Sequence, residues 1–142
     1  AVRLAVENVR LHALEERVVV IEGDAKKLFA SLTPGWDLII TNPPYVDSAH
    51  MQLLPAEYRH ENAAGLDGGA DGLLLVDDFL RVLPSQLSSS GVFICEVGAS
   101  SGALSRKYSE LPIVWLDLPL GGEGVFLIEG EALYSRGIEQ TV

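Results

Sequence analysis

The residues of this chain whose types and spacing best suit chemistry are Asn42-Pro43-Pro44-Tyr45. Both prolines have a fixed φ and no N–H, and Pro43 also keeps Asn42 out of the helical region. The loop is therefore stiff, and its backbone carbonyls and the Asn42 side-chain oxygen can face one small volume. A cluster of acceptors of that kind suits a planar NH2 group. Tyr45 adds an aromatic face that can stack on an amide or attract a cation. Asparagine and proline are also ordinary turn residues, so Asn-Pro by itself reads as a loop that ends a strand. The full tetrapeptide arises by chance in about one chain in a thousand of this length, with residue types taken as equally frequent. Its position after an apolar run favours a functional loop.

That run, Trp36-Asp37-Leu38-Ile39-Ile40-Thr41, reads as a buried strand with the motif at its carboxyl end. Open α/β sheets place their ligand crevice at that end of the strands. Upstream, Val2, Ala5, Val6, Val9 and Ala13 recur at helical spacing, although no capping residue precedes them. Residues 18–22 are a β-branched run, as expected of a parallel strand. Gly23-Asp24 ends it, and Asp24 can cap a short helix reaching about Leu32. Helix, strand, helix, strand is the rhythm of a parallel sheet with crossover helices.

Residues 46–70 are polar and aperiodic, with Asp47, His50, Glu57, Tyr58, Arg59, His60, Glu61 and Asn62 crowded between the motif and Gly68-Gly69. A segment this long beside a candidate site reads as a substrate loop. His50 and His60 lack the partner spacing of a metal site, and loop hydrogen bonding is the simpler reading; no metal is expected. Asp71 is placed to cap a helix whose Leu73, Val76, Leu80, Leu83 and Leu87 share a face with Phe79 beside them, and Ser88-Ser89-Ser90-Gly91 to stop it. A buried strand follows over 92–97. A helix capped by Ser100 or Ser101 then runs to about Glu110, and a hairpin pairs 113–117 with 124–128. Residues 130–142 read as a weakly held tail.

With 48% hydrophobic and 21% charged residues, 142 residues suffice for one domain with a real core. No apolar run approaches the ~20 residues of a membrane span. The single cysteine, Cys95, lies within an apolar run and reads as a core residue, which fits a reducing, cytoplasmic setting. Twenty acidic and ten basic residues leave a net charge of −10. No Lys/Arg stripe is present, so direct binding to a nucleic-acid backbone is not expected, whereas a basic protein partner is.

The motif after a strand, together with the terminal hairpin, resembles the class I S-adenosylmethionine-dependent methyltransferases. Four segments carry a narrower resemblance to the N5-glutamine methyltransferases, in the branch that acts on the third protein of the large ribosomal subunit. They are Asn42-Pro43-Pro44-Tyr45-Val46-Asp47, Leu54-Pro55-Ala56-Glu57-Tyr58-Arg59-His60-Glu61, Gly69-Ala70-Asp71-Gly72-Leu73 and Gly121-Gly122-Glu123-Gly124-Val125-Phe126. The first motif is shared with adenine-N6 methyltransferases acting on nucleic acid, which is the alternative activity; the second is far more specific. The resemblance implies an α/β, Rossmann-like, mostly parallel sheet with a closing antiparallel hairpin, and S-adenosylmethionine as cofactor. It implies catalytic roles for Asn42, Pro43, Pro44 and Tyr45, and cofactor contacts from Asp24, Ala25 and Asn42. It also implies substrate contacts from Asn42, Pro43, Tyr45, Tyr58, Arg59 and Glu61.

The family's Gly-rich cofactor loop and the acidic residue ending its second strand are absent here. Residues 1–142 are therefore expected to be the C-terminal part of a single catalytic domain lacking its first two strands, inactive alone. In the resembled fold those two strands lie between the strand at 18–22 and the one at 36–41, so a gap of roughly 14 Å opens between the flanking strands. The expectation is that residues 18–22 slide over to pair with 36–41, or that a second copy of the chain supplies the edge.

Overall fold

A computed structural model describes residues 1–51, 65–119 and 121–135. Helix α1 (Val2–Leu11) opens the chain, followed by α2 (Ala25–Ser31), strand β1 (Trp36–Thr41) and the single turn α3 (Ser48–Met51). Helix α4 (Leu74–Gln86) runs directly into β2 (Leu87–Glu96), and a 3-10 turn at Gly98–Ser100 leads into α5 (Ser101–Lys107). Strands β3 (Val114–Trp115) and β4 (Val125–Glu129) and helix α6 (Gly130–Ser135) complete the described chain. The four strands form one mixed sheet in the order β1-β2-β4-β3.

β1 runs parallel to β2, whereas β2/β4 and β4/β3 are antiparallel. The closing hairpin is as expected. The mostly parallel sheet is not what the described residues form, since one of their three pairings is parallel. The alternation along β2 turns Leu87, Phe93 and Cys95 into the core. There they meet Val76, Phe79, Leu80 and Leu83 of α4, Leu104 of α5, Phe126 and Ile128 of β4 and Leu133 of α6. Edge-on aromatic contacts join Phe93 to Phe126 at 5.9 Å and Phe29 of α2 to Phe79 at 5.2 Å. The opposite face carries Leu38 and Ile40, which are 53% and 68% exposed. In register, Ile40 neighbours Ile94, Ile94 neighbours Leu127 and Leu127 neighbours Val114, so an apolar stripe crosses all four strands on that open face.

Residues 18–22 are not a strand. They do not slide over to β1, and the outer edge of β1 carries no partner among the described residues. A β-branched run becomes a strand only where a ladder supplies its hydrogen bonds. Here Ala13 adopts a left-handed φ of 52° after α1. Val18 N–H then donates back to Leu14. Val18, Val19 and Val20 face Val6 and Val9 of α1 across a shallow cavity.

Other boundaries shift for local reasons. Asp71 Oδ1 accepts from the Leu73 N–H in a turn ahead of α4, so it precedes the helix cap. Helix α4 ends at Gln86, just ahead of the Ser88 to Gly91 segment expected to stop it, but those residues are not a loop. They form the irregular start of β2, where the register against β1 slips between Trp36 and Leu38. The strand expected over 113–117 is confined to Val114–Trp115. The described part of the tail is held firmly. Leu133 is buried, a contribution of about 1.5–3 kcal/mol, and the Tyr134 hydroxyl faces the Pro84 and Leu87 carbonyls at 3.0 and 2.9 Å.

Candidate active site

Asn42 is the first residue beyond β1, and the β1/β2 register determines what lies beside it. Thr41 pairs with Cys95, so the parallel strands end together and Asn42 emerges next to Glu96. The Glu96 carboxylate receives two side chains of the motif. Asn42 Nδ2 donates to Oε2 at 3.4 Å and the Tyr45 hydroxyl donates to Oε1 at 3.2 Å. Asn42 is exposed, Pro43 buried, and Pro44 and Tyr45 half-buried. All four line a cavity of about 340 Å³ together with Val46, Gly65 and Leu66. That volume lies within the range of small-ligand pockets.

The loop is clamped through its backbone. The Ser100 hydroxyl donates to the Tyr45 carbonyl at 3.1 Å. Gly98, at φ +47°, lies under the Tyr45 ring, where a Cβ would come within 2.6 Å of Cε2. Gly72, at φ +76°, leaves room for the Tyr45 carbonyl, which a Cβ there would meet at 2.5 Å. Such left-handed positions favour glycine. Val46 N–H donates to Leu66, and Gly68 N–H to Val46, so the returning chain pairs with the segment leaving the motif.

Asp47 caps the turn α3. Its Oδ1 accepts from the Ala49 and His50 N–H groups, and its Oδ2 lies 2.7 Å from His50 Nδ1. The hydrogen bonds from the His50 backbone and ring hold the Asp47 carboxyl below the usual carboxylate range, outweighing a smaller opposing effect of desolvation. His50 is thus engaged in loop hydrogen bonding, as expected of it. Tyr58, Arg59 and Glu61, the remaining substrate-contact expectations, lie outside the described residues, as does His60.

The two other residues expected to contact the cofactor lie apart from this cavity. Asp24 Oδ1 accepts from Lys27 N–H at 3.2 Å and caps α2. Ala25 lines a second, apolar cavity of about 210 Å³ with Phe29, Ile39, Ile40, Thr41 and Phe79 among its walls. Those walls can cover the faces of a flat ring such as adenine, whose polar edge would need partners from elsewhere. The cavity is smaller than the roughly 300 Å³ at which ordinary ligand pockets begin. A whole S-adenosylmethionine would thus extend beyond this cavity; Thr41 lines it, and Asn42, the next residue, lines the first.

Glu96, Ser100, Gly72 and Gly98 are the site residues that sequence reasoning missed as such. The one available signal was an acidic residue at the end of the strand expected over 92–97. Its meaning depended on which strand would be the neighbour.

No family model matches the chain. Curated relatives do. It is 46% identical over 118 residues to the ribosomal protein uL3 glutamine methyltransferase of Bradyrhizobium diazoefficiens, covering 82% of this chain and 36% of that protein. It is 42% identical over 134 residues to the protein of the same name from Neisseria meningitidis, covering 94% and 43%. The namesake from Bordetella pertussis is 38% identical over 134 residues, covering 94% and 44%. The chain thus spans less than half the length of these relatives. With matches of this strength along most of its residues, the chain belongs, as a segment, to the family of the ribosomal protein uL3 glutamine methyltransferases.

Proposed function

We propose that the whole protein containing this chain transfers a methyl group from S-adenosylmethionine to the side-chain amide nitrogen of a glutamine in ribosomal protein uL3. The observation that carries this reading is the convergence of Asn42, Pro43 and Tyr45 on one cavity at the end of β1. The names of the relatives support the substrate. When bound, S-adenosylmethionine supplies a methyl group on a positively charged sulfur.

An amide nitrogen is a poor nucleophile because its lone pair is delocalised into the carbonyl. The Asn42 side-chain oxygen and the Pro43 carbonyl each accept one N–H of the target amide. They hold it in the orientation required for transfer and favour the more positive nitrogen that develops. The Tyr45 ring packs on the amide plane. The methylated nitrogen then sheds a proton to water, so no strong base is needed.

This chain is read as the C-terminal part of one Rossmann-like class I catalytic domain, in which the rest of the protein covers the open sheet face and the edge of β1. Alone it binds the cofactor weakly or not at all. The net charge of −10 suits a basic ribosomal protein, encountered in the cytoplasm.

The test is a labelled-methyl assay of the whole protein against purified uL3, glutamine-substituted uL3 and duplex DNA. Label on uL3 that disappears with the glutamine substitution is expected. Label on adenine instead would replace this reading with the nucleic-acid alternative.

A further inference from the structure

Glu96 stands in the site without a part in the reaction as described. A carboxylate presents acceptors only, whereas an asparagine amide has an oxygen face and a nitrogen face that are nearly equal in shape. An acceptor-only neighbour therefore decides which way that amide turns. Glu96 Oε2 takes Asn42 Nδ2, so the Asn42 oxygen must point away from β2. Glu96 Oε1 takes the Tyr45 hydroxyl at the same time. One carboxylate thus orients both side chains that flank the two prolines. The contacts are long, at 3.4 and 3.2 Å, so each is weak and their effect is directional rather than strongly stabilising. Glu96 is held in turn by a rigid support. It sits at the end of β2, where it pairs with Val125, between the buried Cys95 and Val97.

We infer that Glu96 is a positioning residue: it fixes the Asn42 amide so that Oδ1, not Nδ2, faces the acceptor NH2 group. This rests on the glutamine-methylation reading for the identity of that group. Without the carboxylate, the Asn42 amide is free to present its own NH2 to the substrate's NH2, two donors face to face. Glutamine at position 96 makes the point sharply. It is nearly isosteric, but its amide can donate to Asn42 Oδ1 and so stabilise the wrong orientation.

The test uses Glu96→Gln and Glu96→Ala in the whole protein for kinetics, and Glu96→Gln in this chain and in the whole protein for NMR. The Asn42 side-chain NH2 signals are assigned by their loss in Asn42→Ala. With circular dichroism unchanged, Glu96→Gln is expected to lower kcat tenfold or more while KM changes less than threefold, and to shift the Asn42 NH2 signals. A kcat within threefold of wild type overturns the assignment. So do Asn42 signals that stay in place while kcat falls, because the carboxylate would then act by another route.

Should the wild type methylate adenine and not glutamine, the substrate reading fails, and Glu96 is judged by the same kcat ratio on that acceptor. Should it methylate neither, the NMR shift decides: movement of the Asn42 signals supports the positioning role, and their constancy overturns it.

Discussion

The Ser100 hydroxyl donates to the backbone carbonyl of Tyr45 at 3.1 Å, tying the turn ahead of α5 to the loop that leaves β1. Ser100 is only 5% exposed, so water cannot readily replace the bond. Ser100→Ala is expected to cost about 1 kcal/mol in urea unfolding. Gly72→Ala is expected to cost more, about 2 kcal/mol, because its Cβ would collide with the same carbonyl from a left-handed backbone. A Gly72→Ala variant as stable as wild type would show that the loop is not clamped at this point.

Asn42→Ala in the whole protein removes one acceptor from the target amide and leaves the buried core untouched. Loss of a preorganised polar contact of this type costs about 2.7–4 kcal/mol, or roughly 100- to 1000-fold in kcat. Single-turnover methyl transfer measures this directly. A loss below threefold would remove Asn42 from the reaction.

Asp78 joins α2 to α4, with Lys26 Nζ at 2.7 Å and Arg81 Nη1 at 2.8 Å. The Lys26 hydrogen bond, opposed by desolvation and reinforced by Arg81, holds its carboxyl below the ordinary 3.8. A folded pKa below the unfolded one means that the contribution is complete at neutral pH, and it is lost as pH falls through the ordinary value and then the folded one. Stability should therefore decline more steeply below about pH 4 in wild type than in Asp78→Asn. Parallel acid limbs in the two proteins would show that this ion pair carries no linkage.

Cys95 is fully buried, and desolvation, with a smaller push from the Glu96 charge, raises its thiol to about 12. At pH 8 the thiolate is then about one part in ten thousand, so a disulfide reagent should react with the folded chain far more slowly than with the urea-unfolded one. Equal rates would mean that the β2 core opens readily.

Local signals sufficed for much of the architecture. The apolar run at 36–41 is β1, although as an edge strand with none of its residues buried rather than the buried strand expected. Asp24 caps α2 through the Lys27 N–H, because caps, like strand-forming runs, depend on neighbours in sequence. The motif of residues 42–45 was equally legible, since two prolines stiffen a loop wherever it sits.

Residues 18–22 show the limit of that reasoning. Their composition is that of a strand, but a strand exists only where another supplies hydrogen bonds, and none does so among the described residues. Glu96 shows the same limit in the site. Only the β1/β2 pairing, through Thr41 beside Cys95, brings its carboxylate to Asn42 and Tyr45 across more than fifty residues. Gly72 and Gly98 likewise gained their meaning from what packs against them. Sequence determined which short segments have a preferred conformation and which residue types could bind an amide. Tertiary structure decided which strand ends meet, because register is set by the packing of a whole face and not by any single residue.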